Sequence, residues 1–315
     1  MGGIGRASAK LLLFGEHAAV HGHGAIGISL PETTTVQLHG EASEDWDLGQ
    51  VPVDDRGTIR ALMARLEELL PALAARGRRR VRIDSTVERG IGFGSSAALC
   101  GAFARAALTH VDVDPSRETE RAWGLAHGAE HLFHGTPSGI DTGLSLASGM
   151  FAFVPRSSQL PSREPLSGSP LYLVVAAVPR VEGCGVLVRA IGERVRSGER
   201  AAGELIDALG ECAARARGEL GGGTPGREDR VAALADEAME SLRRLGLSTP
   251  WLERLLAAGR AAGALGGKLS GAGGGGAFFL IARDMPSARE IAARLRTDAA
   301  AAGIPLPSLP RVIVI

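Results

Sequence analysis

The sequence predicts an α+β fold, because strand-like and helical segments are mixed without strict alternation. Of the 315 residues, 45% are hydrophobic but only 4% are aromatic, so aliphatic side chains must fill most of the core. Compact domains usually contain about 100–200 residues, and the length therefore predicts two of them. The serine- and proline-rich segment 156–170 is the best candidate for their boundary, which divides the chain into residues 1–165 and 166–315.

In the first predicted domain, apolar alternation indicates four strands and helical periodicity indicates three helices. The strands are placed at Ala9–Phe14, Ala25–Ser29, Thr34–His39 and Val81–Val87. The helices are placed at Thr58–Ala75, Ser95–Thr109 and Arg117–His134. The helix that begins at Ser95 is almost wholly apolar, which is typical of a buried central helix.

In the second predicted domain, a buried strand is followed by helices rich in arginine, glutamate and alanine. Thr249 precedes Pro250, a pair typical of a helix start. The predicted strands are Leu171–Val178, Ala277–Ala282 and Val312–Ile315. The predicted helices are Gly185–Ser197, Arg200–Leu220, Glu228–Leu245, Pro250–Ala262 and Pro286–Ala302.

Composition argues against several classes of protein. Acidic and basic residues balance at 35 each, so no net field favours nucleic acid or an anionic membrane. Cys100, Cys184 and Cys212 are widely spaced, which indicates a reducing compartment rather than a disulfide framework or structural zinc. No apolar run approaches the ~20 residues of a membrane span, and no signal-peptide pattern is present. We expect a cytoplasmic protein without nucleic-acid or membrane partners, and a homodimer is the assembly to test.

Lysine is rare in this chain, since only Lys10 and Lys268 occur among 35 basic residues. An ammonium is a compact point charge, whereas a guanidinium is a broad planar fork. The two groups are not interchangeable where a cation must fit beside a reacting oxygen. We therefore expect both lysines to be functional; the alternative is accident combined with a bias toward arginine.

A first glycine-rich loop follows a predicted strand and opens the helix at Ser95. In that position, backbone N–H groups and the helix dipole converge on an anion, and a serine hydroxyl can bind phosphate or Mg²⁺. An ordinary glycine turn with a serine cap is the alternative. The residues predicted to bind the anion are Gly90, Gly92, Gly94, Ser95, Ser96 and Ala97.

A second glycine-rich run, residues 271–276, follows Lys268 and contains the pattern GxGxxG. The Rossmann fingerprint requires a helix after the loop, but an apolar strand follows here, so we reject a dinucleotide site. Neither glycine loop has the Walker A sequence. We expect this run to let the backbone pack against the first loop.

Two carboxylates complete the candidate chemistry. His127, Glu130 and His131 match the HxxEH zinc-peptidase pattern, but a peptidase would leave both glycine loops and both lysines without a role. Glu130 is better interpreted as a Mg²⁺ ligand beside a serine hydroxyl and phosphate oxygens. Asp141 follows a Pro-Ser-Gly turn that could hold its carboxylate at a reacting hydroxyl, unless it merely caps a helix. Together these groups are typical of phosphoryl transfer.

These motifs, in this order, resemble the GHMP small-molecule kinases over nearly the whole chain. Segments 15–22 and 134–141 resemble the members that act on mevalonate, and Pro-Ser-Gly-Ile-Asp is the most specific element. Galactokinases share Gly-Glu-His but continue with Thr-Asp, where this chain has two alanines. The departures are Glu88 for a frequent proline, Phe93 for a usual leucine, and Thr142 for a frequent asparagine.

The resemblance implies a ribosomal-protein-S5-like N-terminal domain, a ferredoxin-like C-terminal domain, and ATP in the cleft between them. It implies that Asp141 is the base, that Lys10 stabilises the developing alkoxide, and that Ser96 and Glu130 bind Mg²⁺. The residues implied for the substrate are Glu16, His17, Ser138 and Gly139. Lys268 and Gly273 are assigned to ATP together with the first glycine loop.

The expected reaction is therefore ATP- and Mg²⁺-dependent phosphorylation of a primary hydroxyl, with mevalonate as the acceptor. Phosphomevalonate, a sugar or homoserine remain alternative acceptors. A zinc hydrolase and a non-catalytic ligand sensor on the same fold are the alternatives from other classes.

Overall fold

The structure, a computed structural model, describes residues 2–135, 137–156 and 159–315. Helices and strands are mixed, so the α+β prediction is confirmed. The strands are β1 Gly3–Phe14, β2 Ala25–Ser43, β3 Arg78–Ser85, β4 Met150–Arg156, β5 Gln159–Leu166, β6 Tyr172–Val178, β7 Gly266–Leu269, β8 Gly276–Ala282 and β9 Ser308–Val314. The helices are α1 Arg56–Leu69, α2 Ala72–Ala75, α3 Ser95–His110, α4 Thr119–Glu130, α5 Ile140–Ser145, α6 Cys184–Arg196, α7 Arg200–Leu220, α8 Arg227–Arg244, α9 Pro250–Ala261 and α10 Met285–Ala301. None of the described helices is both long and apolar enough to cross a membrane.

The first of two compact units contains residues 1–10, 29–87 and 94–148. In it, β2 pairs antiparallel with β3, with Thr34 opposite Ser85 and His39 opposite Arg80. Helix α3 is buried along nearly its whole length, as its apolar sequence predicts. The start of β1 packs closely on α3, since a Cβ on Gly101 would lie 2.9 Å from that of Ala7. Small residues thus bring the β1 backbone close to α3.

The second unit contains residues 11–28, 88–93 and 149–315. It has a four-stranded sheet in the order β7-β8-β6-β9, in which the consecutive neighbours are antiparallel. In the same unit, β4 pairs antiparallel with the start of β2 and with β5. The predicted helix start at Thr249 is confirmed, because its side chain accepts a hydrogen bond from the Leu252 N–H at 3.4 Å. Cys100 and Cys212 are free and buried; the Cys184 side chain lies outside the described part.

Two predicted boundaries were wrong for reasons that involve proline. Two strands were predicted at 25–29 and 34–39, but β2 is continuous through Pro31. Its pairing with β4 ends at Ile28 and its pairing with β3 begins at Thr34, so Pro31 lies between the residues that pair with these two strands. Conversely, the single helix predicted at 58–75 is divided before Pro71 into α1 and α2.

The segment predicted as a linker, 156–170, contains β5, and Ser157 and Ser158 within it lie outside the described residues. Strands β4, β5 and β7 were not predicted. The compact units divide the chain differently from residues 1–165 and 166–315, because segments 11–28 and 88–93 group with the later part of the chain. The division by sequence therefore stays a prediction about the family's domains.

Candidate active site

Lys10 and Asp141 form an ion pair in the first unit. Lys10 Nζ lies 2.9 Å from Asp141 Oδ2. The lysine side chain is only 6% exposed, whereas the aspartate side chain is 36% exposed. The ammonium is thus fixed inside the protein, while the carboxylate is accessible to a small molecule.

Gly94 makes room for Lys10 at the start of α3. Its φ of 72° lies in the left-handed region that favours glycine. A Cβ at this position would lie 2.6 Å from Lys10 Cγ. The glycine loop therefore holds the lysine side chain against the first turn of α3, where unpaired N–H groups can bind an anion.

Asp141 lies in the first turn of α5, after Gly139 as N-cap, so it is not itself the cap. Gly139 has a φ of 79°, and its carbonyl accepts a hydrogen bond from Trp123 Nε1 at 2.8 Å. The Ser138 hydroxyl accepts from the Ile140 N–H at 3.3 Å. The turn is thus fixed by a buried tryptophan on α4. The assignment of Ser138 and Gly139 to substrate stays a prediction.

Glu130, the last residue of α4, is buried beside this pair. Burial, followed by the negative charge of Asp141, raises its pKa to about 8 against the opposing effects of Lys10 and a hydrogen bond with Thr142. Within the described residues, its Oε2 is buried without a hydrogen-bond partner. The site therefore holds a carboxyl group whose charged form needs a further cation.

Ser96 lies in the first turn of α3, and its Oγ is 3.3 Å from His134 Nε2. Ser95 and Ser96 are half-buried. His134 precedes the Pro-Ser-Gly turn and was not assigned a role from the sequence. Its contact with Ser96 joins the start of α3 to the segment that carries Asp141.

The HxxEH pattern does not form a zinc site. The rings of His127 and His131 meet edge to face, with centroids 5.2 Å apart. A structural or catalytic zinc needs at least three protein ligands. In the described ranges, no group of three or more His, Cys, Asp or Glu side chains is placed to hold a metal ion. Glu130 instead interacts with Lys10 and Asp141.

Lys268, predicted to bind ATP, is enclosed within the second unit. It lies on β7 with a side chain that is 0% exposed. Its ammonium donates to the carboxylate of Glu16 and to the carbonyl oxygens of Leu13 and Leu269, the latter two at 3.1 and 2.7 Å. All three N–H groups are therefore used inside the protein, and the assignment of Lys268 to ATP stays a prediction. Glu16, predicted to bind substrate, is likewise fully buried by this pair.

His17 follows Glu16 and adopts a left-handed backbone conformation with a φ of 58°. Its Nε2 donates to the Ala272 carbonyl at 3.0 Å, since a carbonyl can only accept. Burial lowers its pKa to about 4, so the ring is neutral near pH 7. Its Nδ1 is then a buried acceptor with no partner among the described residues.

Gly92 of the first glycine loop lies beside the residue that follows the second glycine run, and packing of the run itself against that loop stays a prediction. A Cβ on Gly92 would lie 3.1 Å from the Ala277 nitrogen, and one on Gly273 would lie 2.7 Å from the Leu247 carbonyl. Arg180 was not predicted from the sequence. Its Nη2 lies 2.9 Å from the position that a Cβ on Gly92 would take and 3.0 Å from that of a Cβ on Gly276. Its position after β6 gave no motif by which to find it. The second unit thus places a guanidinium between two glycine loops.

An accessible carboxylate paired with a buried ammonium beside a helix start is an arrangement typical of phosphoryl-transfer enzymes. Comparison with known proteins agrees. Residues 57–149 match the model of the GHMP kinases N terminal domain, and residues 205–301 match that of the GHMP kinases C terminal. A mevalonate kinase from Aeropyrum pernix is 33% identical over 294 residues, which cover 86% of each chain. A mevalonate kinase from Pyrococcus horikoshii is 27% identical and covers 96% of this chain and 94% of its own.

Solved structures show the same fold. The mevalonate kinase from L. major, in complex with R-mevalonate, covers 97% of this chain and 95% of its own with a TM-score of 0.76 and 23% identity. The phosphomevalonate kinase from Streptococcus pneumoniae covers 99% of each chain with a TM-score of 0.78 and 17% identity. The chain belongs to the GHMP kinase family and is an ATP-dependent kinase.

The pKa of Glu130 predicts how stability depends on pH. A carboxyl group whose pKa rises from 4.5 to about 8 on folding binds more protons in the folded state between these values. Its contribution to stability is therefore fully present below pH 4.5 and is lost as the pH rises through 8. Glu130→Gln cannot ionise, so without ligands its Tm should match that of the wild type near pH 5 and exceed it increasingly toward pH 9.

The matched control for this measurement is Glu204→Gln, because Glu204 is exposed on α7 and pairs with Arg200. Its Tm difference from the wild type should stay flat over the same pH range. A Tm difference for Glu130→Gln that does not change with pH would show that folding does not raise the pKa of this carboxyl group.

Proposed function

We propose that this protein transfers the γ-phosphoryl group of ATP to the primary hydroxyl of mevalonate, giving 5-phosphomevalonate and ADP. The observation that carries the proposal is the Lys10–Asp141 pair, 2.9 Å apart, at the start of α3. The mevalonate kinases that match most of the chain support the choice of acceptor. Fold similarity alone does not distinguish mevalonate from phosphomevalonate as the acceptor, because the solved structures of both kinases resemble this chain equally well.

Asp141 is the proton acceptor in this proposal. Lys10 contacts its Oδ2, so Oδ1 is the oxygen assigned to the acceptor hydroxyl. As the acceptor oxygen bonds to the γ-phosphorus, its proton passes to the carboxylate and the bond from the γ-phosphorus to the bridging oxygen breaks. ADP leaves with that oxygen. General base catalysis of this kind contributes about 10²–10⁴-fold to the rate.

Lys10 stabilises the negative charge that develops on the acceptor oxygen. Its ammonium is almost fully buried, and a charge in a site shielded from water acts more strongly than one in bulk solvent. The N–H groups of Ser95, Ser96 and Ala97 are in the first turn of α3 and are proposed to bind the phosphate oxygens. Gly94, the N-cap of α3, gives these oxygens access to the backbone.

The residues beside the pair fit a Mg²⁺ ion. Glu130 Oε2 is a buried carboxylate oxygen with no partner in the described chain, and the Ser96 hydroxyl is the second proposed ligand. Mg²⁺ is usually held by one or two carboxylates together with substrate phosphates and water, so it does not require a cluster of three acidic side chains. When bound, it neutralises charge on the phosphate oxygens.

The acceptor alcohol is assigned to the segment after β1. His17 Nδ1 is a buried acceptor that can receive a hydrogen bond from a substrate hydroxyl. Glu16 acts through its ion pair with Lys268, which fixes the backbone from which His17 projects. The three ionisable groups proposed for catalysis lie in one cluster, which consists of Lys10, Glu130 and Asp141. This cluster favours an enzyme over a non-catalytic ligand sensor. Cytoplasmic location and a homodimer stay predictions.

A coupled ADP-release assay tests the choice of acceptor. The purified protein should release ADP with mevalonate at a kcat/KM at least about 10²-fold above that with phosphomevalonate, galactose or homoserine, since a site that hydrogen-bonds one substrate rejects mismatched analogues strongly. Phosphorus NMR of the product should show a phosphate monoester on the primary carbon. Preferred turnover of phosphomevalonate would contradict the proposal and identify phosphomevalonate as the acceptor.

Asp141→Asn tests the base. The amide keeps the shape of the side chain but cannot accept the proton, so kcat should fall by about 10²–10⁴-fold with ATP affinity retained. Asp114→Asn, which alters an exposed carboxylate that accepts from Ser116 at 2.7 Å, is the control and should keep full activity. Turnover by Asp141→Asn within a few-fold of the wild type would remove this residue from the mechanism.

A further inference from the structure

The segment from Gly15 to Gly24 carries Glu16 and His17 and is closed at its base. A Cβ on Gly15 would lie 2.5 Å from the Gly24 carbonyl and 2.7 Å from Ala25 Cα. Between these ends the chain forms a short 3₁₀ turn, residues 18–21. The segment is therefore a compact loop whose position depends on where it is attached to the rest of the second unit.

Two attachments belong to the proposed substrate residues themselves. Glu16 is held by Lys268 on β7, and His17 by the Ala272 carbonyl. The third attachment is at the other end of the loop. His23 Nε2 lies 3.1 Å from Asp207 Oδ1 on α7. None of the motifs found in the sequence includes these two residues.

The His23 ring also rests on α7. Asp207 and Gly210 are three residues apart and so lie on one face of this helix. A Cβ on Gly210 would overlap three atoms of the imidazole ring, Nδ1, Cγ and Cε1. Glycine in a helix interior is destabilising relative to alanine, so the position is unfavourable for the helix itself. It provides the space in which the ring lies. We call Asp207 and Gly210 the histidine seat.

We infer that the histidine seat holds His23, and through it the loop 15–24, in the conformation that binds the acceptor alcohol. Asp207, Gly210 and His23 are positioning residues, and the inference rests on the proposed function of His17. Without the seat, the loop would be less ordered in the free enzyme, and ordering it when substrate binds would reduce the affinity. The groups that perform the transfer, Lys10 and Asp141, are not altered by this change. The loss should therefore appear in KM for the acceptor and leave kcat nearly unchanged.

Gly210→Ala is the direct test, and the same helix supplies its control. Gly203 also lies on α7, but a Cβ there would have nothing within 4 Å. Both substitutions raise helix propensity equally, so their difference reports only the space for His23. Gly210→Ala should raise KM for mevalonate about three- to tenfold, the size expected for a lost hydrogen bond. Gly203→Ala should leave it unchanged, and KM for ATP should not move in either variant.

Asp207 provides a second, milder test, because its side chain is 70% exposed and its removal does not endanger folding. Asp207→Ala should raise KM for mevalonate in the same way, whereas Asp207→Asn keeps an oxygen that accepts from His23 and should restore it. In a His23→Ala background, Gly210→Ala should have no further effect on KM, since the two residues act through one contact.

Hydrogen exchange followed by mass spectrometry measures how well the loop is ordered in the absence of substrate. Exchange in peptides covering residues 15–24 should be faster in Gly210→Ala than in Gly203→Ala. Unchanged exchange, or a KM for mevalonate within twofold of the wild type in both Gly210→Ala and Asp207→Ala, would overturn the inference. If the wild type did not phosphorylate mevalonate at all, the proposed function would fail, and exchange alone would then decide whether the seat orders the loop.

Discussion

The ion pair between Lys10 and Asp141 is the interaction on which the site in the first unit depends. The pair forms because Lys10 on β1 and Asp141 in the first turn of α5 come together beside Gly94. Gly94 leaves room for the lysine stem, and the bond from Trp123 to Gly139 fixes the turn that carries the aspartate. Glu130 lies beside this pair, and its own burial together with the charge of Asp141 raises its pKa to about 8.

Each of the two lysines places a compact ammonium group beside a carboxylate, but the surroundings of the two pairs differ. Lys10 leaves an accessible carboxylate beside it, whereas Lys268 directs all its protons to Glu16 and two carbonyls inside the second unit. Removing one partner of a buried ion pair leaves an uncompensated charge, so such pairs fix local geometry even where their net stabilisation is small. In both units, the lysine side chain is almost fully buried against a carboxylate.

Much of this could be predicted from the sequence, because local signals were strong. The helix at 200–220 and the strand that ends at Val178 followed from periodicity, and the resemblance to the GHMP kinases implied that Lys10, Glu130 and Asp141 act together. Other features depend on tertiary contacts that no local pattern records. Strand β7 is a four-residue run with two glycines, and the burial of Lys268 depends on Glu16, which is 252 residues away in sequence. Arg180 and the histidine seat are likewise defined only by what the fold brings next to them.

The most direct measurement is the kcat of Lys10→Arg, with Tm measured on the same sample. Arginine keeps the positive charge, but its planar guanidinium is broader than the ammonium that lies 2.9 Å from Asp141 Oδ2. Misplacing the acceptor oxygen relative to Asp141 should lower kcat by about 10²-fold while Tm changes little. Wild-type turnover by Lys10→Arg would contradict the claim that a compact ammonium beside Asp141 is what makes this site work.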